Sequence, residues 1–228
     1  MRLIVLDTET SDLPEKGGHL LELAWMVLDG YKPISAFESY IQFNGLISPL
    51  AQAQNHISLT DCSYLRGAKP KEEIFLRLMQ DVEPDSYIVA HNHVFDSKFV
   101  PQLTNPWICT FRVAKLIWPE APAHGNQVLR YWLGIKPDLS LAPNIKSRAP
   151  HQALYDVATT TGILLKMLER HTPEELHKMT IQPYRLAKIP FGKHKGTDFD
   201  KIPRDYLMWL RQQSNLDPDV KYTIDNLL

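Results

Sequence analysis

Asp7 and Glu9 stand two residues apart at the end of an apolar run, Leu3-Ile4-Val5-Leu6. A strand repeats every two residues, so both carboxylates emerge on one face. Two anions beside a core repel unless counter-charge offsets them, and a divalent cation held by oxygen ligands supplies that charge. A solvated strand end is the plainer reading of this pair taken alone. Asp96 follows a short apolar strand in Ala90-His91-Asn92-His93-Val94-Phe95-Asp96. There it opens a helix, where a capping role competes with a metal-binding one. Asp156 lies inside a long helical pattern beside Leu154, Tyr155, Val157 and Ala158, where a bare carboxylate is costly. His151 precedes it by five residues, about 140° away around an ideal helix, which puts the imidazole on the loop leading into that helix. A carboxylate fixed on a helix suits metal binding. A loop histidine that titrates near neutral pH suits accepting a proton from water.

These groups need a frame that brings residues 7, 96 and 156 together. Residues 2–9 and 19–28 read as apolar strands joined through Gly17-Gly18, and 38–43 as a third that ends at Asn44-Gly45. The period then changes. A helix over 71–81 with Ile74, Phe75, Leu78 and Met79 on one face is followed by a strand at 87–91. Helices over 97–103, 110–118 and 126–133 and a short strand at 107–109 come next, separated by Pro and Gly. The long helix starts near His151, after Pro150, and runs to residue 170 with a buried stripe from Leu154 to Leu168. This is an α/β domain of residues 1–170. Beyond Thr172-Pro173, prolines punctuate short segments with helices over 203–213 and 217–228, a small appended α-rich unit of residues 171–228.

The 228 residues carry a net charge of −1, which excludes binding to a polyanion by bulk positive charge alone. Neither part is a charged tail: residues 1–170 hold 16 Lys/Arg against 18 Asp/Glu, and 171–228 hold nine against eight. Neutralising Asp7, Glu9, Asp96 and Asp156 would turn the first part's −2 into +2, so metal ions supply the missing attraction for a polyanion. Cys62 and Cys109 form no C-x-x-C pair and read as buried reduced thiols. No apolar run is long enough for a membrane span, and the N-terminus turns acidic too soon for a secretory signal, so a cytoplasmic location is expected.

The ordered set Asp7-x-Glu9, Asn92-x-x-Phe95-Asp96 and His151-x-x-x-x-Asp156 resembles the motifs of the DnaQ-like DEDDh exonuclease superfamily, over residues 1 to about 170. Leu21-Glu22-Leu23-Ala24, Ile47-Ser48-Pro49 and His56-Ile57-Ser58 agree with it. Trp107-Ile108-Cys109-Thr110, Ala114-Lys115-Leu116-Ile117-Trp118-Pro119 and the C-terminal Phe191-Gly192-Lys193-His194-Lys195-Gly196 are similar to the exonuclease X branch. Asp12 stands where the family usually has Gly. The resemblance implies a ribonuclease H-like mixed sheet flanked by helices, and metal-dependent 3′–5′ hydrolysis of DNA to nucleoside 5′-monophosphates in repair or end processing. It implies that Asp7, Glu9 and Asp156 bind one divalent ion, that Asp7 and Asp96 serve a second, and that His151 is the general base. The ions would be Mg²⁺ or Mn²⁺. Thr10, Leu13 and Asn92 would contact the substrate, with Leu13 beneath the terminal base. The implied partner is nucleic acid with a free 3′ end, foremost DNA.

Two other functions fit the same residues. One is a 3′–5′ exoribonuclease, since nothing in the sequence specifies reading of a 2′-hydroxyl. The other is a non-catalytic scaffold that binds nucleic acid or protein, against which the presence of all five catalytic positions counts. Lys146 and Arg148 are candidate phosphate contacts beside solvated-loop roles. Basic residues interleaved with Phe191, Tyr206 and Trp209 make the C-terminal unit a candidate for nucleic-acid binding, with ordinary core packing as the other reading. His91 and His93 read as turn residues or as neighbours of Asp96 rather than as metal ligands.

Overall fold

In the computed structural model, residues 1–141 and 149–228 are described. Five strands form one mixed sheet: β1 (Arg2–Thr10), β2 (Leu20–Asp29), β3 (Lys32–Tyr40), β4 (Tyr87–Ala90) and β5 (Trp107–Cys109). Around and beyond it lie α1 (Pro49–Asn55), α2 (Lys71–Asp81), α3 (His93–Asp96), α4 (Thr110–Ile117), α5 (Asn126–Trp132), α6 (Ala153–Leu168), α7 (Pro173–Ile181), α8 (Arg204–Arg211) and α9 (Pro218–Asp225). The strand order is β3-β2-β1-β4-β5, with β1–β2 and β2–β3 antiparallel and β1–β4 and β4–β5 parallel.

β1 is the centre of the sheet and is covered on both faces, which is why its apolar residues run consecutively rather than alternating. Leu3 and Val5 pack with Leu154, Val157 and Leu164 of α6, and Ile4 and Leu6 pack with Ile74 and Leu78 of α2 and with Phe99. Asp7 and Glu9 extend the α6 side of this pattern, while Thr8 extends the α2 side. The sheet thus aims the first two acids at α6 and leaves the residue between them facing the other way.

The chain divides into two compact units, Met1–Thr180 and Ile181–Leu228. The boundary falls ten residues after the expected one at 170. Pro173 does not break structure but opens α7, since proline fits the first turn of a helix. Leu176 is fully buried in the core of the first unit, and Thr180 Oγ1 accepts a hydrogen bond from Cys109 N–H at 2.9 Å. The second unit has its own core of Ile189, Phe199, Ile202, Leu207, Leu210, Val220 and Ile224.

Two other expectations are corrected. Residues 97–103 form turns rather than a helix, because Pro101 cannot continue one and biases its predecessor away from helical angles. Asp96 therefore ends the short α3 instead of opening a helix. The third strand begins at Lys32, six residues before the expected 38, because Pro33 hides it; an edge strand tolerates proline. Cys62 and Cys109 are buried free thiols, as expected. No helix among the described residues is long and apolar enough to cross a membrane.

Candidate active site

The end of β1, the start of α6 and the loop after β1 enclose a cleft lined by Asp7, Glu9, Thr10, Leu13, His151 and Asp156 together with Leu50, Gln54 and Phe95. Carboxylate oxygens of Asp7, Glu9 and Asp156 all lie within 4.8 Å of one another. The two strand acids share a face by the strand period, and α6 is long and buried enough to hold Asp156 opposite them.

Asp96 lies behind this group rather than in the cleft wall. It is 4% exposed, and its Oδ1 accepts bonds from Thr8 N–H at 3.1 Å and Thr8 Oγ1 at 2.8 Å. Thr8 is the residue whose side chain leaves β1 on the opposite face, so it ties Asp96 to the strand that carries Asp7 and Glu9. His151 lies outside α6, as its spacing requires, with a left-handed backbone (φ 64°). That conformation directs its N–H to Asp156 Oδ2 at 2.9 Å. The Gln54 side-chain amide nitrogen lies 2.7 Å from His151 Nδ1 and 3.2 Å from Nε2, steadying the ring. Gln127 Nε2 donates to the other oxygen of Asp156 at 2.8 Å.

Thr10 and Leu13 both line the cleft, and Leu13 is 43% exposed. The loop that presents Leu13 folds back so tightly that a Cβ on Gly18 would stand 2.0 Å from the Asp12 carbonyl oxygen, so only glycine fits there. Asn92 is exposed and does not line the cleft, and its carbonyl accepts Phe95 N–H at 2.8 Å. His91 is held between Thr110 Oγ1 and the His124 carbonyl, 2.9 Å from each, and burial lowers its pKa to about 4. It is a structural histidine. Lys146 and Arg148 lie outside the described residues.

Glu22 is the site residue that spacing alone did not single out. It pairs directly across from Glu9 in the β1–β2 register and is 1% exposed. Its Oε2 accepts Ala153 N–H at 3.1 Å, which pins the first residue of α6, while its Oε1 has no hydrogen-bond partner. The available signal was an acid in the middle of the apolar run Leu20 to Leu28.

Burial and mutual repulsion disfavour charge throughout this group. Asp7 is raised well above the usual carboxylate range by burial and then by Asp96, Glu9 and Asp156. Burial and Glu22 push Glu9 up to about 9, and burial and Glu38 push Glu22 up to about 8. Burial raises Asp96 to about 7 against the Thr8 bonds, and raises Asp156 against the His151 N–H. Among the described residues, none of these five acids has a lysine or arginine within ion-pair distance. An all-oxygen cluster of converging carboxylates with no described cationic side chain at ion-pair distance fits divalent cations.

A pH dependence follows for the cation-free protein. An acid whose folded pKa is raised costs nothing below its unfolded value, where both states are protonated. Between the two values only the unfolded chain releases its proton, so stability falls as pH rises. For Glu22 and Glu9 that window runs from about 4.5 to between 8 and 9. Melting in EDTA should therefore drop steadily from about pH 5 to pH 8, with each group contributing up to ~1.4 kcal/mol per pH unit. Glu22→Gln, which keeps an acceptor for Ala153, should make the slope shallower; an unchanged slope in thermal melts would contradict this account.

Residues 4–164 match the RNase_T exonuclease family, and residues 177–218 match a family described as a putative quorum-sensing-regulated virulence factor. Exodeoxyribonuclease 10 of Escherichia coli K12 is 29% identical, over 99% of this chain and 98% of its own. Among solved structures, exonuclease X in complex with 5′-overhanging duplex DNA superposes with a TM-score of 0.64 at 24% identity, covering 78% of this chain and 99% of that one. E. coli exonuclease I in complex with a dT13 oligonucleotide gives 0.60 at 16%, covering 76% of this chain and 42% of that one. At these identities the two structures speak to the fold, which is the ribonuclease H-like sheet expected from the motifs. The family match over most of the first unit goes further, and the chain belongs to the DnaQ-like 3′–5′ exonuclease family.

Proposed function

We infer that the protein hydrolyses DNA from its 3′ end, releasing nucleoside 5′-monophosphates. The observation that carries this reading is the convergence of Asp7, Glu9 and Asp156 within 4.8 Å in a cleft whose rim holds His151. The DNA preference is supported by the near full-length relative, which is named an exodeoxyribonuclease. Repair or end processing is the corresponding setting.

Exonucleases of this family depend on divalent cations. Asp7, Glu9 and Asp156 would hold one ion and Asp7 with Asp96 a second, with Mg²⁺ or Mn²⁺ suited to the oxygen donors. When bound, a pair of ions offsets the charge of the scissile phosphate and supplies Lewis acidity to the in-line displacement. His151 takes the proton of the attacking water at Nε2, the ring nitrogen farther from the Gln54 amide. The water oxygen bonds to phosphorus as the bond to the 3′ oxygen of the preceding nucleotide breaks. The displaced 3′ oxygen takes a proton from solvent water and becomes the 3′-hydroxyl of the shortened strand. Leu13, Leu50 and Phe95 give the terminal base an apolar seat, and Thr10 offers a polar contact beside it. The backbone N–H of His151 keeps Asp156 oriented whatever the imidazole is doing.

The test is digestion of 5′-labelled single-stranded DNA by the purified protein, beside a matched RNA. A ladder that shortens from the 3′ end with Mg²⁺, disappears with EDTA and forms faster on DNA is expected. Faster loss of the RNA would move the assignment to an exoribonuclease, and no cleavage of either with Mg²⁺ or Mn²⁺ would leave a binding scaffold.

A further inference from the structure

The second unit, residues 181–228, takes no part in the chemistry above, yet one of its faces carries exposed aromatic and basic side chains beyond its core, with Tyr206 packed partly against that core. Residues 191–196, Phe-Gly-Lys-His-Lys-Gly, form a tight loop between Ile189 and Phe199, both of which are buried. Gly192 has φ 72°, and a Cβ there would stand 3.0 Å from Tyr206 Oη, so the loop lies directly against α8. His194 packs edge-on to Tyr206 with ring centroids 4.6 Å apart, and Tyr206 in turn lies 5.5 Å from Trp209. The result is a row of three rings across the loop and α8. Leu207 and Leu210 turn the other side of α8 into the core, leaving Trp209 54% and Met208 52% exposed. An exposed tryptophan that serves no core is a standing aromatic surface.

Charge on this face is positive and largely uncompensated. Lys193 and Lys195 flank His194, and neither has an ion pair among the described residues. Most acids of the unit are committed elsewhere. Asp200 pairs with Arg185, Asp198 with Lys201 and Asp225 with Arg211. Asp217 caps α9, and Asp219 accepts Tyr184 N–H. Asp205, one turn before Trp209 on α8, is the exposed acid nearest this row in sequence. The unit as a whole carries eight Lys/Arg against six Asp/Glu.

We propose that the His194–Tyr206–Trp209 row with Lys193 and Lys195 is a second nucleic-acid contact, one that grips unpaired nucleotides by stacking on Trp209 and by lysine contacts to phosphate. Aromatic platforms beside unpaired cations suit single strands, because an unpaired base exposes its ring face and the lysines meet the backbone without reading sequence. A base-paired duplex hides those faces. The inference stands on the second unit alone, and it holds or fails independently of how the cleft cuts.

Binding of the full-length chain to a fluorescent oligothymidylate, measured by anisotropy in EDTA so that the strand survives, tests it. Trp209→Ala should weaken binding about tenfold, the loss of one stacked base, and Trp209→Phe should restore most of it. The Lys193→Ala/Lys195→Ala double variant should reduce the slope of log affinity against log salt by about 1.4, two single-strand phosphate contacts. A fully paired hairpin should be indifferent to Trp209→Ala. Circular dichroism melts establish that each variant is folded, and the lysine pair, on an exposed loop, decides the matter if Trp209→Ala destabilises the unit. Unchanged affinity and salt slope in the lysine variant would overturn the proposal, as would equal losses on hairpin and single strand. A fall in sedimentation coefficient with Trp209→Ala at unaltered DNA affinity would overturn it too, and would assign the face to a second copy of the chain.

Discussion

Asp7→Asn is expected to reduce cleavage by about a thousandfold or more, the scale lost when a central electrostatic element of a metal-assisted site is removed. Asp7 is the acid common to both proposed ion positions, and the charges of Asp96, Glu9, Asp156 and Glu22 all bear on it. The same substitution should make the cation-free protein melt several degrees higher, because Asn fills the same space without adding a buried anion to four others. A further consequence separates chemistry from folding: the rise in melting temperature that Mg²⁺ gives the wild type should vanish in the variant. Single-turnover digestion and thermal melts with and without Mg²⁺ measure all three. Cleavage near the wild-type rate would remove Asp7 from the site. Lost activity with a lowered melting temperature in EDTA would point to misfolding instead.

His151→Asn should lower kcat by about a hundredfold to ten-thousandfold, the usual range for loss of a general base. Asparagine is chosen because it tolerates the left-handed backbone at this position better than most residues. It also keeps the backbone N–H that holds Asp156, so the stabilisation conferred by Mg²⁺ should match the wild type. That split, lost turnover with retained cation response, distinguishes a proton acceptor from a ligand. If Mg²⁺ no longer stabilises the variant, the imidazole itself helps to hold the ion.

Much of the site could be read from the sequence because local periods position it. Two residues along a strand put Asp7 and Glu9 on one face, and five residues before a helical aspartate put His151 off the helix. Thr10 and Leu13 fell in the cleft because Thr10 ends β1 and Leu13 lies on the loop that begins there. Glu22 was not legible as a site residue, since its partner Ala153 lies 131 residues away and only tertiary closure brings them together. Among the elements, proline caused the principal errors, and each time position decided its meaning. Pro33 is harmless on an edge strand, Pro101 ends what looked like a helix, and Pro173 begins one.

The bond from Ala153 to Glu22 also sets a timetable. At roughly 5 to 20 residues per second of synthesis, the strand that carries Asp7 and Glu9 waits on the order of ten seconds for the helix that completes the site. Until that helix docks, the acids have neither Asp156 beside them nor His151 at the rim, and contacts of such long sequence separation are the slow ones to form. The growing polypeptide therefore lacks the complete acid cluster until α6 has been made and has docked. A chain broken off before residue 153 would be an inert sheet fragment.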